Sequence, residues 1–488
     1  MHSRIGLAAA MTLLVAACGG GDSPDTGSSF DFTGAPGSLL ATPTALTSLT
    51  PTDYQNLANE KDTLGQPTAR ARTITALLQV TGAPTCDVTF NYFQYGTVGG
   101  AGEKTSASGG IMVPSGTSPA CTGPRPVLLY AHGTSTDKNK NMASPEDGEA
   151  ALVAAMYAAQ GYIVVAPNYA GYESSTLPYH PYLNLEQQAW DVVDALTAAR
   201  KGFTAINASA SSKLFVSGYS QGGFVSMAAQ RRLQLAGTPV TAGAHLSGPY
   251  HLGRFGDAVY AGNVNLGATL FAPLLSTSFQ RTYGNIYATP SDMYEATFAT
   301  GIETLLPSTT PLNTLLSTGK LPATFMFSGE APETKFAPFF GTPNLVKASY
   351  RAAVVTDAFT NPTAPQHPLR VAAYRNDLLA QNWTPAQPML LCGGVQDPTV
   401  FFDLNTGSAK AYFTGRGVPD QAVTVLNVDS AETVGDGFDP IRAGFSAALT
   451  KTATDAGANA ASAVAQAYHG SLVPPFCNAA ARGYFAQF

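Results

Sequence analysis

Short, continuously apolar segments alternate with longer segments of helical periodicity between residues 125 and 248. This alternation predicts βαβ units, and therefore an α/β fold with a mostly parallel central sheet and helices on both faces. The predicted strands cover residues 125–133, 162–167, 213–218 and 240–248, and the predicted helices cover residues 144–161, 184–202 and 220–237. Two earlier strands at residues 86–96 and 106–116 and a later one at residues 389–392 complete the prediction.

The helix over residues 144–161 has clear signals at both ends. Ser144 is its predicted N-cap, acidic residues follow in the first turn, and Gly161 is expected to end it. In open α/β sheets ligands bind at the carboxyl ends of the strands. The loops that follow the predicted strands are therefore where functional residues are expected.

The sequence GYSQG at residues 218–222 joins a predicted strand to a predicted helix. A serine in this position has the context of a nucleophile elbow, in which a strained turn exposes its hydroxyl above the sheet. Gly218 and Gly222 are explained by the same turn, because a side chain there would collide with the neighbouring strand and helix. Ser220 is therefore the predicted nucleophile, and the N–H of Gln221 is the expected first oxyanion donor.

A serine nucleophile needs a base, and in the α/β-hydrolase fold the order along the chain is serine, acid, histidine. Asp397 follows the strand at residues 389–392 and a Gly-Gly turn, which makes it the first choice of acid. Asp429, at the end of the strand-like VTVLNVD, is the second choice. Of the seven histidines only His469 follows Asp397, so the predicted triad is Ser220, Asp397 and His469. The N–H of Thr134, in the loop after the strand at 125–133, is the expected second oxyanion donor.

Several of these segments resemble the secretory lipase family of α/β hydrolases, which includes the Candida-type lipases and many bacterial esterases. The segments are SGGIMVP, LLYAHGT, YIVVAPNYAGY, YHPYLNLEQQAWDVVDALTAAR, GYSQGG and GAHLSGPYHL. The resemblance covers roughly residues 85–255 and returns around residues 386–400 and at His469. It places Ser220, Asp397 and His469 at the family's triad positions. The family's acidic residue linked to the oxyanion hole corresponds to Asn168, so the second donor stays open between Asn168 and Thr134.

The spacing from nucleophile to acid predicts an insertion. Two βα units account for about 60–80 residues between them, and the chain is much longer there. Residues 253–385 are rich in Phe, Tyr, Leu and Pro and include helix-like patches at residues 293–306 and 345–359. We expect a mainly helical cap over the site, as in the family, between a first core part at residues 51–252 and a second at residues 386–488. The alternative is an independent helical domain away from the site.

The first residues, MHSRIGLAAAMTLLVAACGGG, suit an export signal, because their apolar stretch is too short to span a membrane. The segment VAAC resembles a bacterial lipobox, which predicts a signal peptide at residues 1–17 and lipid on Cys18. A plain signal peptide is the alternative. The composition after it predicts a flexible tether at residues 18–50. The expected location is the bacterial cell envelope, at the outer membrane or cell surface, with secretion as the other possibility.

Export also bears on the cysteines. If Cys18 carries lipid, four of the five cysteines remain, an even number in an oxidising compartment. Cys392 and Cys477 flank the predicted acid and histidine, so a site that joins those two side chains brings the cysteines together. A covalent tie there would hold the loops in register for catalysis. The predicted disulfide bonds are Cys392–Cys477 and Cys86–Cys121.

Composition excludes other classes of function. The 488 residues are 12% charged with a net charge of −6 and no Lys/Arg block, which argues against a nucleic-acid partner. No HExxH motif or zinc-like Cys/His spacing occurs, so neither a metal nor another cofactor is expected. The sequence thus predicts an exported serine carboxylic ester hydrolase that acts on small, lipid or polymeric esters and contacts the membrane through its lipid anchor. The alternatives are a serine peptidase of the same fold and a non-catalytic surface binding protein.

Overall fold

A nine-stranded sheet runs through the computed structural model, which describes residues 34–62, 65–66, 68–238, 240–430 and 435–488. The predicted signal peptide, Cys18 and the tether up to residue 33 lie outside these ranges. The strands are β1 (Thr44–Leu49), β2 (Asp87–Val98), β3 (Lys104–Ser115), β4 (Arg125–Ala131), β5 (Ile163–Pro167), β6 (Ala210–Tyr219), β7 (Ala242–Leu246), β8 (Met389–Gly393) and β9 (Val423–Asn427).

The strand order is β1-β2-β3-β5-β4-β6-β7-β8-β9. The pairs from β1 to β5 are antiparallel, and every pair from β5 through β4 to β9 is parallel. This topology confirms the predicted α/β fold with a mostly parallel sheet. It places β6, which leads to Ser220, in the middle of the parallel region, where strands on both sides hold it in place.

The helices cover both faces of the sheet and fill the long connection between β7 and β8. They are α1 (Pro51–Ala58), α2 (Ala69–Thr81), α3 (Gly148–Met156), α4 (Leu185–Gly202), α5 (Gln221–Leu235), α6 (Leu252–Ala261), α7 (Ala268–Tyr283), α8 (Pro290–Met293), α9 (Ala296–Ala299), α10 (Leu312–Ser317), α11 (Ala348–Thr360), α12 (Pro368–Arg375), α13 (Ser408–Gly415), α14 (Asp439–Ala456), α15 (Ala460–Ala467) and α16 (Val473–Phe485). Two π-helical turns, Asp403–Gly407 and Tyr468–Leu472, precede α13 and α16.

Alternate residues of β4 belong to two different hydrophobic cores. Val127 and Leu129 pack in the core that also contains residues of α4 and α5. Leu128 and Tyr130 pack in the core on the other face, with residues of α3 and α16. Successive side chains of a strand point to opposite faces, so a strand buried on both faces needs a continuously apolar sequence. This is the physical basis of the apolar segment that predicted the strand.

The ends of α3 differ from the prediction. Asp147, not Ser144, is the N-cap, because its carboxylate accepts hydrogen bonds from the N–H groups of Glu149 and Ala150. The Ser144 hydroxyl instead accepts from the N–H of Glu146 in the preceding loop. At the other end α3 stops at Met156, and a 3-10 turn over Ala158–Gln160 leads to Gly161, whose φ of 99° needs a glycine.

Part of the predicted tether is folded. The N–H of Gly37 donates to the carbonyl of Gly96, and the N–H of Leu40 donates to that of Gln94. β1 then continues the sheet by antiparallel pairing with β2. The predicted boundary at residue 50 is therefore too late, because residues 44–49 supply the backbone groups that cover the edge of β2.

The connection between β7 and β8 is mainly helical and contains α6 to α12. The patch at residues 345–359 forms α11, as predicted. The patch at residues 293–306 breaks into α9 and a 3-10 turn at Ile302–Thr304, because Gly301 adopts a φ of 77° between them. The Arg370 guanidinium, which is 2% exposed, pairs with Asp257 of α6 at 2.6 Å and Asp357 of α11 at 2.6 Å. These ion pairs join three helices of the connection.

Two disulfide bonds fasten the fold, Cys86–Cys121 and Cys392–Cys477. They are the pairs that the sequence predicted. Cys392 lies in β8 and Cys477 in α16, so the second bond joins the strand before Asp397 to the helix after His469. Within the described ranges, no helix is both long and apolar enough to cross a membrane.

Candidate active site

Ser220 lies between the end of β6 and the start of α5. Its φ of 59° and ψ of −121° are strained for a residue with a side chain, which is the backbone geometry of a nucleophile elbow. A Cβ atom on Gly218 would lie 2.5 Å from the carbonyl oxygen of Ala131, and one on Gly222 would lie 1.9 Å from the same oxygen. The two glycines around Ser220 are therefore required by the close approach of β4.

Asp397, His469 and Ser220 form one hydrogen-bonded chain. An Asp397 carboxylate oxygen lies 2.6 Å from Nδ1 of His469, and Nε2 of His469 lies 2.7 Å from Oγ of Ser220. With the Nδ1 proton directed at the carboxylate, Nε2 is the acceptor for the serine hydroxyl. The three predicted residues, which are far apart in the sequence, therefore meet in the order that general-base activation of a serine requires.

The turn after β8 holds Asp397. One carboxylate oxygen, Oδ1, accepts hydrogen bonds from the N–H groups of Thr399 at 2.8 Å and Val400 at 3.0 Å, and the other faces His469. Asp397 is only 4% exposed. The second-choice acid, Asp429, instead accepts a hydrogen bond from the hydroxyl of Tyr468 at 2.8 Å. The structure thus pairs the histidine with the first-choice acid.

His469 lies in the π-helical turn between α15 and α16. The hydroxyl of Tyr219, the residue before Ser220, donates to the backbone carbonyl of His469 at 2.6 Å. The centroids of the Tyr219 and His469 rings lie 5.1 Å apart. Burial raises the pKa of Tyr219 well above its usual value, so this hydroxyl stays protonated and donates. The histidine is therefore held through its backbone as well as through its imidazole.

The side chain of Gln221, the residue predicted to supply the first oxyanion N–H, is held by a hydrogen bond to His180. Its side-chain Nε2 lies 2.7 Å from Nε2 of His180, whose Nδ1 lies 2.9 Å from the carbonyl oxygen of Ala170. Burial lowers the pKa of His180 to about 3, so the ring is neutral. A neutral ring that donates from Nδ1 accepts at Nε2 from the Gln221 amide. Gln221 itself is 1% exposed.

The two candidates for the second oxyanion donor have different surroundings. Asn168 donates from its N–H to the Ser108 carbonyl at 2.7 Å and from Nδ2 to the Ser108 hydroxyl at 2.9 Å. Its Oδ1 accepts from the N–H of Met142. Asn168 therefore ties β5 to β3. Thr134 follows Gly133, where an added Cβ would lie 3.7 Å from Cβ of Ser220, so its loop passes directly beside Ser220.

A mostly apolar cavity opens beside Ser220 and Gln221. Helices α6 and α7 of the long connection supply much of its wall, which is mostly apolar; examples are Leu252, Phe255, Val259, Phe271 and Leu275. None of the described residues that line it is charged. The polar side chain of Ser276 in the wall is hydrogen-bonded to the hydroxyl of Tyr294. The cavity thus places an uncharged, mostly apolar surface beside Ser220.

Sequence reasoning missed the two tyrosines and His180. Tyr219 directly precedes Ser220, and Tyr468 directly precedes His469. This adjacency is the only sign in the sequence that the two tyrosines belong to the site. His180 belongs to the segment YHPYL, where nothing marks a contact with Gln221. Among the described residues, no group of three or more His, Cys, Asp or Glu side chains is arranged to hold a metal ion.

The geometry agrees with what comparisons with known proteins find. Residues 146–251, which include the elbow, match the family model described as Secretory lipase. The rice cell wall degrading esterase LipA from Xanthomonas oryzae has a similar structure, with 27% identity and a TM-score of 0.69 over 93% of this chain and 99% of that chain. The chain therefore has the α/β-hydrolase fold and is similar to a carboxylesterase and to the secretory lipase family model. No curated protein sequence matches it.

Two further solved structures are similar to this α/β hydrolase. A protein of Legionella pneumophila has 19% identity and a TM-score of 0.65, over 92% of this chain and 98% of that chain. Candida antarctica lipase A has 13% identity and a TM-score of 0.46, over 80% of this chain and 76% of that chain. The Legionella protein likewise shares the fold over nearly the whole length of both chains.

Proposed function

We propose that this α/β hydrolase is a serine carboxylic ester hydrolase that works through Ser220, His469 and Asp397 and an acyl-enzyme intermediate. The single observation that carries the proposal is the unbroken chain from the Asp397 carboxylate through His469 to the Ser220 hydroxyl, with contacts of 2.6 Å and 2.7 Å. The strained backbone at Ser220 is a second support, because strain of this kind persists where it exposes a nucleophile.

In the proposed reaction, Ser220 Oγ attacks the ester carbonyl carbon while its proton passes to Nε2 of His469. The Asp397 carboxylate accepts the hydrogen bond from Nδ1 and stabilises the imidazolium that forms. The tetrahedral intermediate collapses, the C–O bond to the alcohol breaks, and Nε2 returns the proton to the leaving alcohol. A water molecule then attacks the acyl-serine in the same way, releases the carboxylic acid and restores the serine.

The N–H groups of Gln221 and Thr134 are the proposed oxyanion donors. Gln221 begins α5, so its N–H belongs to the unpaired first turn and benefits from the helix dipole. Thr134 is preferred over Asn168, because the Asn168 donors already bond Ser108 within the sheet. Two donors that are fixed before substrate binds stabilise the oxyanion without a cost of reorganisation.

The apolar cavity supports an ester with an apolar acyl or alcohol portion, such as a lipid ester or a polyester. An uncharged wall offers no partner for a charged group, and burial of hydrocarbon there contributes about 0.8 kcal/mol per CH₂. We assign residues 253–385 the role of a cap, because α6 and α7 supply the wall next to Ser220.

The family match and the two disulfide bonds indicate export. Beyond that we propose a lipid anchor on Cys18 at the bacterial cell envelope, supported by the lipobox-like VAAC. The mature protein would then begin at Cys18 with a mass increase from acyl chains. Cys18→Ser should release the protein or leave the signal uncleaved, and an unmodified N-terminus at another residue would contradict the anchor.

The test is a chain-length series of p-nitrophenyl esters, set beside aminoacyl anilides, with purified protein and the Ser220→Ala variant. We expect hydrolysis of the esters, little hydrolysis of the anilides, and a loss of kcat by about 10³-fold or more in the variant. Gly256→Leu extends the test, because Gly256 lines the cavity and an added Cβ meets no atom within 4 Å. It should reduce activity on long esters far more than on acetate. Equal activity of Ser220→Ala would contradict the proposal, and preferred cleavage of anilides would favour a peptidase.

A further inference from the structure

The turn that carries Asp397 and the turn that carries His469 meet at one hydroxyl group. Tyr468, the residue before the histidine, donates from this hydroxyl to Oδ2 of Asp429 at 2.8 Å. The same oxygen accepts a hydrogen bond from the N–H of Gln396, the residue before Asp397, at 3.3 Å. One side chain therefore links the immediate neighbours of two triad residues to the loop that follows β9.

The protein makes room for this hydroxyl. A Cβ atom on Gly394 would lie 2.2 Å from the Tyr468 oxygen, so only a glycine leaves space for it. Tyr468 is 2% exposed, and its ring packs edge-on against Phe445 at 5.6 Å between centroids. Burial and the Asp429 carboxylate raise the pKa of Tyr468 above its usual value, so the hydroxyl remains a donor.

The loop that carries Asp429 is itself joined to the turn after β8. Oδ1 of Asn427 accepts hydrogen bonds from the N–H groups of Val395 and Asp429, both at 3.1 Å. The N–H of Val428 donates to the carbonyl of Gly393. These bonds fix the position of Asp429 relative to β8 and β9. The Tyr468 hydroxyl, which donates to Asp429, is therefore positioned by the same two strands.

We propose that Tyr468 and Asp429 are positioning residues for the triad, with Asp429 fixing the Tyr468 hydroxyl and this hydroxyl keeping the Asp397 turn in register with His469. The inference rests on the proposed esterase function. Neither residue touches the reacting atoms. Their effect passes through the 2.6 Å contact between Asp397 and His469, and an error of about 1 Å in such a contact costs about 10²-fold in rate.

The test compares Tyr468→Phe, Asp429→Ala and Asp429→Asn with the unmodified protein on a short p-nitrophenyl ester. Tyr468→Phe and Asp429→Ala should lower kcat by about tenfold or more. They should change KM by less than about twofold, because neither substitution alters the cavity in which the substrate binds. Asp429→Asn keeps an oxygen that accepts from Tyr468, so it should retain most of the activity. Such rescue by the conservative variant is not expected from a general loss of stability.

Tyr157→Phe is the matched control. Tyr157 is also a fully buried tyrosine, but its hydroxyl donates to Asn478 in α16 rather than to a triad turn. Its loss should lower the unfolding temperature and leave kcat unchanged. If Tyr468→Phe behaves in the same way, the positioning role is wrong.

A double-mutant cycle with Asp397→Asn separates this inference from the proposed function. If Tyr468 acts through the Asp397–His469 contact, Tyr468→Phe should change kcat by less than about twofold once Asp397 has been replaced. A full additive loss in that background would overturn the positioning role but not the triad. Absence of Ser220-dependent ester hydrolysis in the unmodified protein would overturn both.

Discussion

Nε2 of His469 lies 2.7 Å from Oγ of Ser220, although 249 residues separate them in the sequence. Ser220 follows a central strand, whereas His469 lies in a turn between two late helices. Contacts to the backbone and to neighbouring side chains, such as that from Tyr219 to the His469 carbonyl, hold this distance. The geometry of the site therefore depends on how the loops at one end of the sheet are joined.

The choice of acid gives the first prediction. Asp397→Asn should lower kcat by about 10³- to 10⁴-fold, because an amide oriented by the same N–H donors cannot stabilise the imidazolium. Asp429→Asn, an equivalent change in the neighbouring loop, should reduce kcat by less than about tenfold, because it keeps an acceptor for Tyr468. Steady-state kinetics of both folded variants decides between them. A larger loss in Asp429→Asn would show that the acid is misassigned.

The steric requirement at the elbow gives the second prediction. Gly222→Ala places a Cβ atom 1.9 Å from the Ala131 carbonyl oxygen, so the elbow must shift. We expect a loss of activity of at least about 10²-fold or a failure to fold. Gly483→Ala is the control, since Gly483 is an exposed residue of α16 and its added Cβ meets no atom within 4 Å. It should be neutral or stabilise the fold by up to about 1 kcal/mol. Equal behaviour of the two variants would contradict the steric argument.

The disulfide bonds give the third prediction. Removal of Cys392–Cys477, which spans 85 residues, should lower the free energy of unfolding by roughly 4–5 kcal/mol in the chain-entropy model. It should also lower kcat, because the bond joins the strand that precedes Asp397 to the helix that follows His469. Removal of Cys86–Cys121, which spans 35 residues, should cost about 4 kcal/mol and leave the kcat of the folded protein unchanged. Denaturation curves and kinetics of the two paired Cys→Ala variants test this. An equal loss of kcat in both would refute the local role of the second bond.

Asp194 gives the fourth prediction, on pH. Burial raises the pKa of this α4 carboxyl to about 7 from its ordinary value of 3.8. Between these two values the folded state binds more protons than the unfolded state, so the contribution of Asp194 to stability is lost as the pH rises from 4 to above 7. Asp194→Asn keeps an acceptor for the Thr97 hydroxyl and does not titrate. The variant should therefore gain stability relative to the unmodified protein as the pH is raised from 4 to 8. A difference in unfolding temperature that does not vary with pH would contradict the raised pKa.

The sequence allowed the sheet and the elbow to be predicted because both rest on local patterns. A strand buried on both faces must be apolar throughout, and a serine between a strand and a helix must have small neighbours. Asp397 and His469 followed from their order along the chain, and the disulfide pairs from their positions beside them. Each of these inferences needs only the fold topology.

Other features depend on contacts between distant segments. The sequence TALTSL gives little sign of a strand, and β1 forms because β2 presents an open edge. The cap of α3 was misplaced because Ser144 and Asp147 are both good N-caps, and packing chooses between them. The links from Tyr468 to Asp429 and from Tyr219 to His469 join loops whose meeting no local pattern reveals.

Covalent labelling shows whether Ser220 is the nucleophile. The purified protein is treated with a p-nitrophenyl alkylphosphonate, and the amount of p-nitrophenol released is measured. The labelled peptide is then identified by mass spectrometry. We predict release of about one equivalent per chain, loss of esterase activity in parallel, and the phosphonyl group on Ser220. The Ser220→Ala variant should take up no label. A label on another residue, or continued ester hydrolysis without any label, would show that Ser220 is not the nucleophile.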